Sequence, residues 1–79
     1  MFIKIKTANS QRFLIECQDG IYWIRETSSI YLKDKILGKR CSMPKIEMPL
    51  TIYLDNETTL STSRIKEINE INLKEKNHD

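Results

Sequence analysis

The chain carries almost none of the side chains that perform covalent chemistry. Its 79 residues include one histidine, His78, and two cysteines, Cys17 and Cys41. A nucleophile needs its base held within hydrogen-bond reach, and a penultimate histidine in a polar segment is badly placed for that. Cys17, Cys41 and His78 also lack the short paired spacings of structural zinc sites, so no metal site is expected. Two cysteines make no disulfide framework, and both are expected as reduced thiols packed as small hydrophobes. The only glycines, Gly20 and Gly38, lie too far apart for a phosphate-cradling loop. Carboxylates gather near expected strand ends (Glu16, Asp19, Glu26, Asp55, Glu57), where they serve either as an acid–base pair or, more ordinarily, as solvated turn residues. No apolar run approaches the roughly 20 residues of a membrane span, and no signal-peptide pattern is visible. These absences predict a non-enzymatic cytoplasmic protein with no cofactor and no membrane partner.

What the chain does have is a period-two hydrophobic rhythm. Phe2-Ile3-Lys4-Ile5-Lys6, Ile21-Tyr22-Trp23-Ile24-Arg25 and Leu50-Thr51-Ile52-Tyr53-Leu54-Asp55 all alternate. Successive side chains of a strand point to opposite faces, so these runs read as half-buried strands. Arg12–Cys17 has three consecutive apolar residues and reads as a strand covered on both faces. Asp19-Gly20 between apolar runs is a hairpin signal, and Ile30-Tyr31-Leu32 reads as a short strand. Residues 33–49 hold Gly38, Pro44 and Pro49 and read as an irregular loop, with Ile36-Leu37 able to dock on the core. Leu50–Leu54 and Thr58–Ser63 form a second hairpin about Asp55-Asn56-Glu57. Ile65, Ile68 and Ile71 recur every three residues, which suits a helical turn, yet Arg64–Ile68 also reads as a closing strand. The expected fold is all-β: a small antiparallel sheet of five or six strands, rolled into a barrel or half-barrel. It forms one domain over residues 1–71, with a short C-terminal helical turn as one option, followed by a frayed polar tail at 72–79.

At this length, folding buries only about 60% of the unfolded chain's surface. Association into a homo-oligomer is therefore expected as a second source of burial. The net charge is +2, too slight for a dedicated duplex-DNA binder.

Strand phase suggests which residues face outward. Ile3, Ile5, Ile30, Leu32, Leu50, Ile52 and Leu54 are expected inside. Phe2, Lys4, Lys6, Tyr31, Lys33 and Tyr53 are expected outside, with Trp23 and Arg25 joining them if Tyr22 and Ile24 form the core set of their strand. Aromatic faces stack on bases and cations neutralise phosphates, so Trp23, Arg25, Tyr31 and Tyr53 are candidate ligand residues. The same pattern also describes ordinary solvated strands. Thr62, Ser63 and Arg64 close a hydroxyl-rich run able to bond phosphate or ribose oxygens, or simply to form cross-strand threonine pairs. Lys33, Lys35, Lys39, Arg40 and Lys45 make the long loop basic. Met43 and Met48 add adaptable apolar surface suited to a protein partner.

Twelve isoleucines and nine lysines stand against one alanine and no valine. Since strands use valine freely, the skew reflects an AT-rich coding bias, as in low-GC bacteria and their phages. The run Arg25-Glu26-Thr27-Ser28-Ser29-Ile30-Tyr31-Leu32, followed by Asp55-Asn56-Glu57-Thr58-Thr59-Leu60-Ser61-Thr62-Ser63-Arg64-Ile65-Lys66-Glu67-Ile68, resembles a T-x-S-I-Y and T-S-x-I-x-x-I pattern of uncharacterised small β proteins from phages and low-GC bacteria. The likeness covers about half the chain, departs in the long basic loop, and implies a fold and a mobile-element setting but no activity. Three functions follow as expectations. The first is sequestration of a nucleotide-like small molecule, such as an immune messenger, in counter-defence. The second is inhibition of a host protein through an edge strand or the basic loop. The third is binding of single-stranded nucleic acid.

Overall fold

The computed structural model describes residues 1–71. The 72–79 segment and His78 lie outside the described residues. Six strands follow one another around the fold: β1 Phe2–Thr7, β2 Arg12–Gln18, β3 Ile21–Thr27, β4 Arg40–Cys41, β5 Pro49–Tyr53 and β6 Thr59–Ile71, with one helical turn, α1 Lys33–Ile36, between β3 and β4. Each strand is antiparallel to the next, and β6 pairs with β1 to close a barrel.

Most of the predicted inward set fills the barrel interior, with additions and with the exception of Ile30. Ile3 and Ile5 of β1, Phe13 and Ile15 of β2, Ile24 of β3, Leu50 and Ile52 of β5, and Ile65 of β6 are buried, and Tyr22, Leu54 and Ile68 pack against them. Ile24 and Tyr22 are thus the core set of β3, which turns Trp23 and Arg25 outward. Leu14 stays half-exposed, so β2 is covered on one face only. The β2–β3 turn places Asp19 at φ 52° and Gly20 at φ 77°. Both are left-handed, the geometry whose twist matches a tight hairpin.

The chain departs from expectation after β3. Ile30-Tyr31-Leu32 is a turn entering α1 rather than a strand. The Ser29 N–H bonds Thr27 Oγ1 at 3.1 Å and the Leu32 N–H bonds the Ser29 carbonyl, so local hydroxyl chemistry bends the chain before a ladder forms. Leu32 still packs on the core, but Ile30, expected inside, is 79% exposed and Tyr31 is 85% exposed. The loop that follows is partly regular: Ile36 is buried, Leu37 packs beside it, and Arg40–Cys41 bridges β3 to β5.

At the C-terminal end, where a closing strand and a helical turn are both expected, β6 is a single strand through Ile71 and the helical turn is absent. Thr7 pairs with Ile65 and Lys6 with Glu67, so Lys66 is the extra residue of a β-bulge. That insertion spaces the inward residues Ile65 and Ile68 three apart and mimics a helical period. Two further register shifts, at Leu14/Ile15 and Pro49/Thr51, bend the sheet toward closure.

Cys17 is half-buried and Cys41 buried. They flank Tyr22 across two ladders, which separates their backbones by about 10 Å, beyond disulfide reach. No helix among the described residues is long and apolar enough to cross a membrane.

Candidate functional site

The ladder registers align one outward row across the barrel wall. Phe2 lies opposite Glu16, Glu16 opposite Trp23, Trp23 opposite Arg40, Arg40 opposite Tyr53, and Tyr53 opposite Thr59. Directly opposed side chains on one face have Cβ atoms about 4.5–5.5 Å apart. Arg40 therefore stands between an indole and a phenol, in a position to lie against either ring. Arg40 is exposed, Tyr53 is 46% exposed and Trp23 half-exposed, so the ring faces are within reach of a ligand.

The charges around the row are largely matched. The Arg25 Nε–H donates to Glu16 Oε1 at 2.7 Å, and Gln18 Nε2 donates to Glu16 Oε2 at 2.7 Å. Lys39 Nζ donates to Asp55 Oδ2 at 2.8 Å. Among the described residues Arg40 has no carboxylate partner, which leaves it as the cation free to meet an anion between the two rings.

The remaining predicted residues scatter. Tyr31 projects from the turn before α1, outside the ladder row. Thr62 serves the β5–β6 register shift, where its Oγ1 accepts from the Leu50 N–H at 3.0 Å and donates to the Ser63 carbonyl at 2.7 Å. Arg64 pairs across from Pro49, four residues from Tyr53 along β5, or about 13 Å. It approaches Glu47 at 4.0 Å, and Lys66 holds the same carboxylate at 2.7 Å. Lys66 lowers the Glu47 pKa, chiefly by its hydrogen bond. The basic loop divides, with Lys33 and Lys35 on α1, Lys39 paired, Arg40 in the row, and Lys45 exposed near the β5 entry.

Below the row, on β1–β3 and the end of β6, an open groove of about 480 Å³ is floored by Leu14 and flanked by Lys4, Lys6, Arg12 and Glu26. Nothing in the sequence marks this groove, and sequence alone keeps Arg40 among the loop cations, because only the β3–β4–β5 pairing carries it to the rings. The signal for the hairpin half was present, since a two-residue turn at Asp19-Gly20 places Gln18 opposite Ile21 and Glu16 opposite Trp23.

Inside the wall, burial first and then a hydrogen bond to Cys17 raise the Tyr22 phenol, and burial pushes the Cys41 thiol up to about 12. A thiol so buried is a packing group at neutral pH. Among the described residues no cluster of three or more His, Cys, Asp and Glu side chains gathers. What the outer wall offers is stacking surface and cationic hydrogen-bond donors. Comparison with protein-family models, with curated proteins and with solved structures found no match for the chain.

Proposed function

We propose that this chain is a non-enzymatic binding protein that receives nucleobases on Trp23 and Tyr53 and the intervening phosphate on Arg40, with single-stranded nucleic acid as its ligand. The observation that carries this reading is the Trp23–Arg40–Tyr53 alignment across three adjacent strands. Alternating π faces and cations on a β surface hold a strand with little sequence preference, each stacked base contributing about 1–3 kcal/mol. Sequestration of a free nucleotide messenger would use the same contacts, but a small molecule calls for a concave site that buries most of its surface. The row is open, which favours a polymer. Closure of the row by a second copy would restore the messenger reading. Met43, Ile46 and Met48, 53%, 51% and 54% exposed in the β4–β5 connection, give a homo-oligomer or a host-protein partner an apolar contact. Because a closed ladder removes free edges, that contact would run through the loop and not through strand addition. A cytoplasmic, phage or mobile-element setting belongs to the same proposal: the first is supported by the two cysteines with no disulfide framework, the others by residue usage and the resemblance in sequence pattern.

Trp23 is the sole tryptophan, so its fluorescence reports the site directly. Oligothymidylate at low salt is expected to quench it, with affinity falling steeply as salt rises. Arg40→Ala should weaken binding about tenfold, while Lys33→Ala, on α1, should not. Unchanged fluorescence across oligothymidylate and oligouridylate at low salt would overturn the reading.

A further inference from the structure

The groove below the row contains an electrostatic conflict. Lys6 lies directly opposite Arg12 in the β1–β2 ladder, and like charges so placed repel. Lys4 joins them two residues along the same face of β1. Only Lys6 finds a carboxylate, Glu67 at 3.7 Å; among the described residues neither Lys4 nor Arg12 makes an ion pair.

A hydroxyl borders the same space. Ser28 Oγ accepts the Arg12 N–H at 2.9 Å. With an oxygen lone pair so engaged, the hydroxyl hydrogen is available to an acceptor. Two unpaired cations and this hydroxyl border a groove that also exposes Leu14. Glu26 and Glu67 also border it, so three cations and two carboxylates leave a net charge of +1. That charge matches a phosphodiester, which carries one negative charge. A phosphomonoester, close to doubly charged at neutral pH, would meet the two carboxylates as well.

We infer that the groove of Lys4, Arg12 and Ser28 is a phosphodiester-binding site that holds the backbone of the strand whose bases stack on the row above. This rests on the proposed function. It is sterically continuous with it: Phe2 and Lys4 are successive outward residues of β1, and Glu16 and Leu14 of β2, so row and groove lie about 7 Å apart along the strands.

Two measurements test the site. In oligothymidylate titrations read by Trp23, Arg12→Gln and Lys4→Gln should each weaken binding about five- to tenfold at low salt. Each should also flatten the log–log salt dependence by up to about 0.7, with Lys33→Gln unchanged. A 5′-phosphorylated oligomer should bind no better than its unphosphorylated twin, and a tenfold preference for the phosphorylated form would overturn the diester assignment. The second measurement does not depend on the row. Dimethyl phosphate titrated into the free protein should shift the Arg12 and Ser28 amide resonances before those of Lys33 or Lys45, and fail to do so in Arg12→Gln. Uniform shifts, or none, would overturn the groove site whatever the row does. Intact Trp23 quenching with unaltered salt dependence in both variants would overturn it while leaving the row standing.

Discussion

At the scale of single residues, the barrel interior is the most demanding environment. Ile15 is fully buried, and Ile15→Val should cost about 1 kcal/mol through the lost methyl and the space it leaves, read as a lowered urea midpoint with unchanged slope. Cys41 makes a pH-dependent contribution. Burial raises its folded pKa to about 12, above the roughly 8.5 of an unfolded thiol. The unfolded chain therefore releases this proton first. The contribution is complete below about pH 8.5 and is lost progressively as pH rises from there toward the folded value. Urea unfolding between pH 8 and pH 10 should show falling stability, with a shallower fall in Cys41→Ala. Native Cys41 should also resist iodoacetamide at pH 8 and react once guanidinium unfolds the protein.

At the scale of elements, turns and bulges decide where side chains point. Gly20 has φ +77° with nothing near the position a Cβ would take, so Gly20→Ala should cost about 1 kcal/mol from backbone strain alone. Glu57 is the opposite case. It holds φ 60° in the β5–β6 turn, a conformation glycine adopts freely, and Glu57→Gly should stabilise the fold by up to about 1 kcal/mol, read as a raised thermal midpoint. The β6 bulge is sharper still. Lys66→Ala removes one exposed ion pair to Glu47 and should leave the thermal midpoint nearly unchanged. Deleting Lys66 would leave Ile65 and Ile68 two apart across a ladder built for three, forcing strain or a register slip. Thermal melts of the two variants should differ widely.

At the scale of the whole molecule, β6 joins the ends of the fold. Its first half pairs with β5, and Ile65 to Ile71 pair with β1. A chain ending after Arg64 would bare the outer ladder of β1 and remove Ile65 and Ile68 from the core. Loss of cooperative unfolding by circular dichroism is the expected result. The same closure settles how the isoleucine stripe is covered, since the sheet curls on itself.

Much of the strand pattern is legible before any coordinates, because alternation and turn chemistry are local properties. Phe2–Lys6, Arg12–Cys17, Ile21–Glu26 and the hairpin at Asp19-Gly20 declare themselves, as does the outward phase of Tyr53. Ile30-Tyr31-Leu32 misleads because its alternation is too short to outweigh the Thr27 and Ser29 turn bonds. Ile65 and Ile68 suggest a helical turn because an inserted residue in a ladder and a helical period leave the same spacing in one dimension. The Arg40 position between Trp23 and Tyr53, the Lys6 opposition to Arg12, and the partition of β6 between two neighbours depend on which distant segments meet. Local patterning specified the strands, their faces and their hairpin partners, and barrel closure chose the remaining neighbours, because long-range pairing energy is a property of two distant segments and neither one carries it by itself.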